Sequence, residues 1–420
     1  MVAEWINKKI NDIATVTMGG TPSRSVTEYW DGKIKWMSSG EVHKRRIFDV
    51  AESITEQGLT NSSAKLLPRN TVMMAMNGQG RTRGTVAILE TELTCNQSLA
   101  GIIPNENINP YYLYYNLQSR YKEIRSLTGN GGRNGLNLSL IRNLDILIPP
   151  LIEQNKIAEI LSIIDEDIDI TEKIIKEIET LKDGLLCQLF LKGLNHFKFK
   201  KTPVGEIPTD WGCNDLSSLI ILGPQNGVYK PSERYGHGNN IVVLNDLYEN
   251  NRIICHPLIN KIDISENELS KYKLAENDVL VNRVSKQVTG VAKVLLVKKL
   301  FSDTVFESNM IRIRLNENEI LPEFFSFYSF THMYKKQITK VAKVSSQTSI
   351  SQDGIGQIKV PLPSLNEQRE ITKITKEIEN KLQIEWIKLS RLRELKLGLM
   401  QQLLTGKVRV PIEESEEASK

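Results

Sequence analysis

The sequence contains no apolar run of the roughly 18 residues that a helix needs to cross a bilayer, so no membrane span is expected. Its opening, MVAEWINKK, lacks the apolar core of a secretion signal. Cysteine is scarce: Cys95, Cys187, Cys213 and Cys255 lie far apart, with no CxxC pair and no histidine at ligand spacing. That argues against a zinc site and favours a reducing, cytoplasmic compartment. Catalytic signatures are missing too. The five histidines (His43, His196, His237, His256, His332) are scattered and suggest no nucleophilic grouping. No GxxxxGK[ST] loop is present. The glycines of GQGRTRG (Gly78, Gly80, Gly84) miss the dinucleotide-binding spacing, and no helical pattern follows them. The one Pro-Pro pair, Pro149-Pro150 between Ile148 and Leu151, lacks the flanks of an amino-methyltransferase motif. Acids such as Asp263, Glu268 and Asp278 are dispersed as solvated surface acids are. No catalysis, no metal and no cofactor are expected in this chain.

What is present begins with 420 residues, enough for two or more domains with cores of their own. Net charge is +4, and the last eight residues, EESEEASK, carry four acids and one lysine. Without them 53 basic residues face 46 acidic ones, a mild excess that permits a polyanionic partner without demanding one.

The chain also repeats itself. IPPLIEQNKIAEIL from Ile148 matches LPSLNEQREITKIT from Leu362 at an offset of 214: Pro149 falls on Pro363, Leu151 on Leu365 and Glu153-Gln154 on Glu367-Gln368. The same offset, without a gap, carries Leu181-Lys182 onto Leu395-Lys396, Gly184 onto Gly398 and Gln188-Leu189 onto Gln402-Leu403. Upstream the echo continues with gaps. LLPRNTVMMA near Leu66 resembles KLAENDVLVN near Lys273, and NPYYLYYNL near Asn109 resembles LPEFFSFYSF near Leu321. Trp5 opens one half, and GEIPTDW, ending at Trp211, opens the other.

The repeated stretches read as long helices, each with a seam of period 3.5. One seam is Ile157, Leu161, Ile164, Ile168, Thr171, Ile175, Ile178, Lys182, Leu185 and Leu189. The other is Ile371, Thr375, Ile378, Leu382, Glu385, Leu389, Leu392, Lys396, Leu399 and Leu403. Such helices outgrow a 150-residue globule and would satisfy each other as partners. The intervening stretches hold short β-branched runs (TVMMAM, GTVAIL, DVLVN, MIRIRL) broken by Gly, Pro and Asn, which predict a twisted, mostly antiparallel sheet. The expected class is α+β: two mixed α/β domains separated by two long antiparallel coiled-coil helices, in a pseudo-two-fold internal repeat. The expected divisions are 1–150, helix 151–195, 196–362, helix 363–410 and a disordered acidic tail 411–420.

Tandem variable domains, each followed by a proline-rich entry, an "EQ" start and a long helix, resemble the specificity subunits of type I restriction–modification systems. IPPLIEQNKIAEIL, VPLPSLNEQREI, GGTPSRSVTEYWDGKIKWMSSGEV (Gly19 to Val42), CNQSL (Cys95 to Leu99) and GEIPTDW carry the resemblance, which covers nearly the whole chain. The second half departs from it. Where the first has TPS…YW…W, the second reads ILGPQNGVYKPSERYG. The resemblance implies that each variable unit is a target-recognition domain reading one half of a split duplex DNA site. It also implies that the helices act as an antiparallel spacer. The resemblance further implies that methyltransferase and restriction subunits dock and supply S-adenosylmethionine, ATP and Mg chemistry. A self-contained DNA-modifying or DNA-cleaving enzyme with a cryptic site is the alternative.

Base edges are read by Arg, Lys, Asn, Gln and Ser/Thr side chains, and phosphates are held by cations and backbone amides. The candidate DNA-binding loops of the first unit are therefore Asn77, Gln79, Arg81 and Arg83, then Asn130, Arg133 and Asn134, then Lys44, Arg45 and Arg46. In the second unit they are Lys230, Arg234, Arg283, Lys286 and Gln287, with Ser345, Ser346 and Gln347.

Overall fold

The computed structural model describes residues 4–78, 80–128, 135–248, 253–255, 257–344 and 347–411. The chain divides into two units: Met1–Lys173 with Ile387–Lys420, and Ile174–Trp386.

In the first unit, β1 (Ala14–Met18), β2 (Arg46–Ile47), β3 (Val72–Ala75), β4 (Val86–Leu89) and β5 (Leu99–Pro104) form a sheet in the order β1-β5-β3-β4-β2. All neighbours are antiparallel except β2 and β4. VMMA and VAIL are buried at every position, so the central strands are covered on both faces. Period-2 alternation splits them between two cores. Val72, Met74, Val86 and Ile88 share one with Tyr112 and Leu113 of α1 (Pro110–Ser119), while Met73, Ala75, Ala87 and Leu89 pack with Met37, Val42 and Ile47. A smaller sheet orders Glu52–Ile54, Trp30–Met37 and Thr94–Cys95. There Trp36 is buried and donates to the Gly20 carbonyl at 2.9 Å.

This unit includes the start of α2 (Leu151–Lys192) and the end of a second long helix, numbered α4 below (Leu365–Leu403). Ile157 and Leu161 share a core with Met400, Leu403 and Leu404, so the two helices run in opposite directions here.

The second unit, built on a different sequence, has the same strand order. Strands β6 (Ile220–Asn226), β7 (Ile253–Ile254), β8 (Val279–Asn282), β9 (Val294–Val297) and β10 (Met310–Leu315) pair as β6-β10-β8-β9-β7, again with one parallel pair, β7 and β9. A three-stranded sheet orders Lys261–Ile262, Tyr235–Val242 and Thr304–Phe306. Helix α3 (Pro322–Tyr328) takes the place that α1 has in the first unit, and both open on a proline, whose fixed φ suits a first helical turn. The turns into the central strands agree in detail. Asn70 and Asn277 both adopt φ +69°, a left-handed conformation that asparagine tolerates, and donate to Leu89 and Val297. In this unit Leu189 shares a core with Ile371, so the end of α2 meets the start of α4.

Both helices stop short of the expected ends at 195 and 410. Gly193 and Gly406, at φ +64° and +71°, terminate them in the left-handed conformation that glycine adopts without strain. A Cβ on Gly193 would lie 2.5 Å from both Glu367 Oε1 and the Trp211 ring, so no larger residue fits without displacing them. The seams also widen at the ends. Leu185 is half-buried while Leu186 and Phe190 are buried, the latter 4.8 Å from Phe324 ring to ring. A helix end covered by a domain as well as by a partner helix needs a broader apolar face than a two-helix seam. The remaining seam positions Ile164, Ile168, Ile175, Ile178, Leu382 and Leu389 are buried, and Ile378, Leu392 and Leu399 are half-buried. Among the described residues no helix is long and apolar enough to cross a membrane. The tail beyond Pro411 lies outside them.

Candidate nucleic-acid interface

The repeated Glu-Gln pair builds the same joint twice. Gln154 accepts the Asn109 N–H at 2.8 Å and donates to the Pro149 carbonyl at 2.9 Å, fixing the start of α2 to the N-terminus of α1. Gln368 does the same for Leu321 (2.8 Å) and Pro363 (3.0 Å). Glu153, its side chain fully buried, accepts from the Trp5 indole at 3.1 Å and from Arg409 at 2.8 Å. Burial alone would push its carboxyl up, but the Arg409 and Trp5 hydrogen bonds outweigh that and hold it below the usual range. Glu367 accepts from the Trp211 indole at 3.0 Å and contacts His196 Nε2 at 2.8 Å. Each unit is thereby locked to one helix start by its own opening tryptophan, and to the other helix by the residues that follow that helix's end.

Two lysines cross the seams at equivalent positions. In the first unit Lys396 lies 2.7 Å from Asp165 and donates to Gln118, while the Tyr115 hydroxyl donates to Asp165 at 3.0 Å. Burial pushes the Lys396 ammonium down from its ordinary value, against the opposing pull of Asp165. In the second unit Lys182 lies 2.5 Å from Glu379 and 5.3 Å from the centre of the Phe330 ring. The acids, like the lysines, are 214 residues apart.

The loops that sequence reasoning had separated meet at one end of each sheet. In the first unit the Leu136 N–H donates to the Met76 carbonyl at 2.9 Å, which joins the 76–83 loop to the chain beyond residue 134. Asn77 and Arg81 are exposed there; Arg83 is buried, and its carbonyl accepts from Arg125. Gln79, Asn130, Arg133 and Asn134 lie outside the described residues. In the second unit Val284-Ser285 pairs with Thr348-Ser349, and the Ile350 N–H donates to the Arg283 carbonyl. Arg283 is half-buried, and Lys286, Gln287 and Gln347 are exposed; Ser345 and Ser346 lie outside the described residues. Neither Arg283 nor Lys286 forms an ion pair with the described residues.

Other candidates are held by acids. Arg45 binds Asp169 and Glu172 of α2, Arg46 binds Glu90 at 2.7 Å, and Lys44 binds Glu41 at 2.8 Å. Burial disfavours the Arg46 charge, yet the bond to Glu90 raises its pKa overall. Here these cations fasten the domain to α2 and to itself. Lys230 pairs with Glu268, and Arg234 with Asp263. A cleft of about 360 Å³ beside the 81–86 loop is lined by His43, Arg45, Arg81, Gln118 and Tyr121. Sequence reasoning missed Gln97 and Asn309, exposed at the same ends of the sheets; the polar residues interrupting buried strands in CNQSL and FESNM were the available signal.

The family described as "Type I restriction modification DNA specificity domain" matches residues 3–180 and 211–395, one match over each half. The chain belongs to this family. Its similarity to the type I restriction enzyme MjaVIII specificity subunit of Methanocaldococcus jannaschii is 25% identity over 412 residues, 97% of this chain and 93% of that one. With the EcoR124I/EcoR124II specificity subunit of Escherichia coli it shares 31% identity over 181 residues, 42% and 44% of the two chains. The fold of this family member matches the crystal structure of a type I restriction–modification S subunit from M. genitalium, at a TM-score of 0.58 and 18% identity, with 96% of each chain covered.

Proposed function

We propose that this chain is the sequence-reading subunit of a cytoplasmic type I restriction–modification assembly and has no catalytic activity of its own. Residues 1–150 and 196–362 are its two target-recognition domains, each reading one half of a split duplex site. The long helices pack as an antiparallel coiled coil that holds the half-sites at a fixed spacing, in a pseudo-two-fold repeat. Methyltransferase subunits bring S-adenosylmethionine, and restriction subunits bring ATP- and Mg-dependent cleavage. The observation that carries this reading is the duplicated joint, Trp5–Glu153 and Trp211–Glu367, under two sheets of identical strand order. One scaffold used twice, with different loops at the sheet ends, suits a molecule that must recognise two different short sequences.

The test is footprinting of the purified chain on a pool of duplexes. The expected result is salt-dependent binding with two protected patches separated by an indifferent spacer. A single continuous footprint, or methyl transfer by protein freed of other subunits, would reject the reading.

A further inference from the structure

We infer that the second unit reads its half-site with a row of polar side chains at the ends of three neighbouring strands: Asn226 with Gln352, then Asn309, then Arg283. The inference rests on the function proposed above. Asn226 ends β6 opposite Ile311, Asn309 immediately precedes β10, and Arg283 immediately follows β8. The Arg283 N–H donates to the Asn309 carbonyl at 2.7 Å, which ties the last two together. Strands in a sheet lie about 4.8 Å apart. Three strand ends therefore span about 10 Å, a fit to the roughly 12 Å width of the DNA major groove.

The chemistry of the row is as specific as its spacing. Gln352 Nε2 donates to Asn226 Oδ1 at 3.2 Å. That bond leaves Asn226 Nδ2 as a donor beside Gln352 Oε1 as an acceptor, neither hydrogen-bonded to the described residues. A donor next to an acceptor complements the N7 and N6 edge of adenine. The Arg283 guanidinium, without an ion pair among the described residues, suits the O6 and N7 acceptors of guanine. The neighbouring cations Lys230 and Arg234 are by contrast occupied by Glu268 and Asp263.

The first unit carries a different row at the same strand ends. Met18, Ser98 and Met76 stand where the second unit has Asn226, Asn309 and Arg283, and the Met76 N–H donates to the Ser98 carbonyl as Arg283 does to Asn309. Met76 is buried and Met18 exposes an apolar surface. The polar strand-end row is therefore particular to the second unit.

The experiment selects duplexes randomised in both half-sites with the full-length chain and its Arg283→Ala, Asn309→Ala and Gln352→Ala variants. Each variant should relax preference at one or two positions of a single half-site by about 5- to 150-fold, the equivalent of a lost base contact, with the salt dependence unchanged. Uniform weakening on all sequences with a shallower salt dependence would assign the row to phosphates and overturn the inference. So would unaltered selection by a variant with wild-type melting. If an alanine variant fails to fold, Asn226→Asp preserves size and the acceptor for Gln352 while removing the Nδ2 donor, and it must move that position away from adenine. A wild-type chain that selects nothing rejects the proposed function itself, and the row with it.

Discussion

The pair Lys396–Asp165 allows the packing of the helices to be tested through one buried charge. Both side chains are nearly inaccessible, and the lysine is held by Asp165 at 2.7 Å and by Gln118 at 2.8 Å. Lys396→Met keeps the length and apolar stem of the side chain but strands the Asp165 carboxylate in the interior, with Tyr115 as its remaining neutral donor. Removing one partner of a buried pair costs about 3–5 kcal/mol, because the other charge remains desolvated. For a unit of this size, each kcal/mol moves the melting temperature by about 2–4 °C, so a fall near 10 °C is expected. The double variant Lys396→Met/Asp165→Leu should recover most of that loss, since replacing both charges by apolar groups is often neutral or better.

Lys182→Met provides the internal comparison. Its pair with Glu379 is more accessible, with side-chain exposures of 18% and 16% against 11% and 5%, so its removal should cost roughly half as much. Calorimetry and denaturant titration of wild type, Lys396→Met, Asp165→Leu and the double variant give the cycle. A Lys396→Met variant that melts within 2 °C of wild type, as an order-of-magnitude threshold, or a double variant as unstable as the sum of its singles, would refute the reasoning.

Two further outcomes follow from the joints and the helices. Because the folded pKa of Glu153 is depressed, its contribution to stability is complete above its ordinary carboxylate pKa and is lost as pH falls through the folded value; Glu153→Gln should flatten the acid limb of the stability curve in urea titrations below about pH 4.5. Inserting four residues near Thr171, with matching residues in α4, adds about 6 Å of helix at 1.5 Å per residue. The preferred spacer between half-sites should then lengthen by one or two base pairs, and selection with an unchanged spacer by a stable variant would count against the helices as a ruler.

The helices were legible in the sequence because a long seam is a redundant signal: ten positions at one spacing, repeated 214 residues later, leave few alternatives. The kinship of the domains was harder to read. Asn70 and Asn277 showed it, because a left-handed turn restricts residue choice, and both supply the same φ. The opening of the second domain did not. Arg24 pairs with Glu52 as Arg234 pairs with Asp263, but Arg24 also stacks 3.7 Å over Trp30, which packs edge-on against Trp36, whereas the strand Tyr235–Val242 of the second unit holds no tryptophan. The same sheet is built from different side chains, because a small half-exposed sheet is fixed by backbone pairing and general burial rather than by particular residues. The joints lay between these cases. Glu153-Gln154 was visible as a motif, but its partners Trp5, Arg409 and Asn109 are scattered along the chain, and only folding brings them together.

The site residues divide for a related reason. A loop rich in Arg, Asn and Gln announces hydrogen-bonding capacity, but composition does not say whether that capacity is already used. Arg45 and Arg46 read as well as Arg283 in the sequence. Their carboxylate partners, Asp169, Glu172 and Glu90, lie 44 to 127 residues away and could not be paired with them from spacing. Commitment to a buried or helix-borne acid is what separates a cation that fastens a domain from one that can face a base. On that criterion the second unit offers Arg283 and Lys286, while in the first the exposed Arg81 stands beside a set already engaged with α2. The clamps at Glu153, Glu367 and Arg45 draw on residues near the helices, and the strand-end row can vary without disturbing any of them.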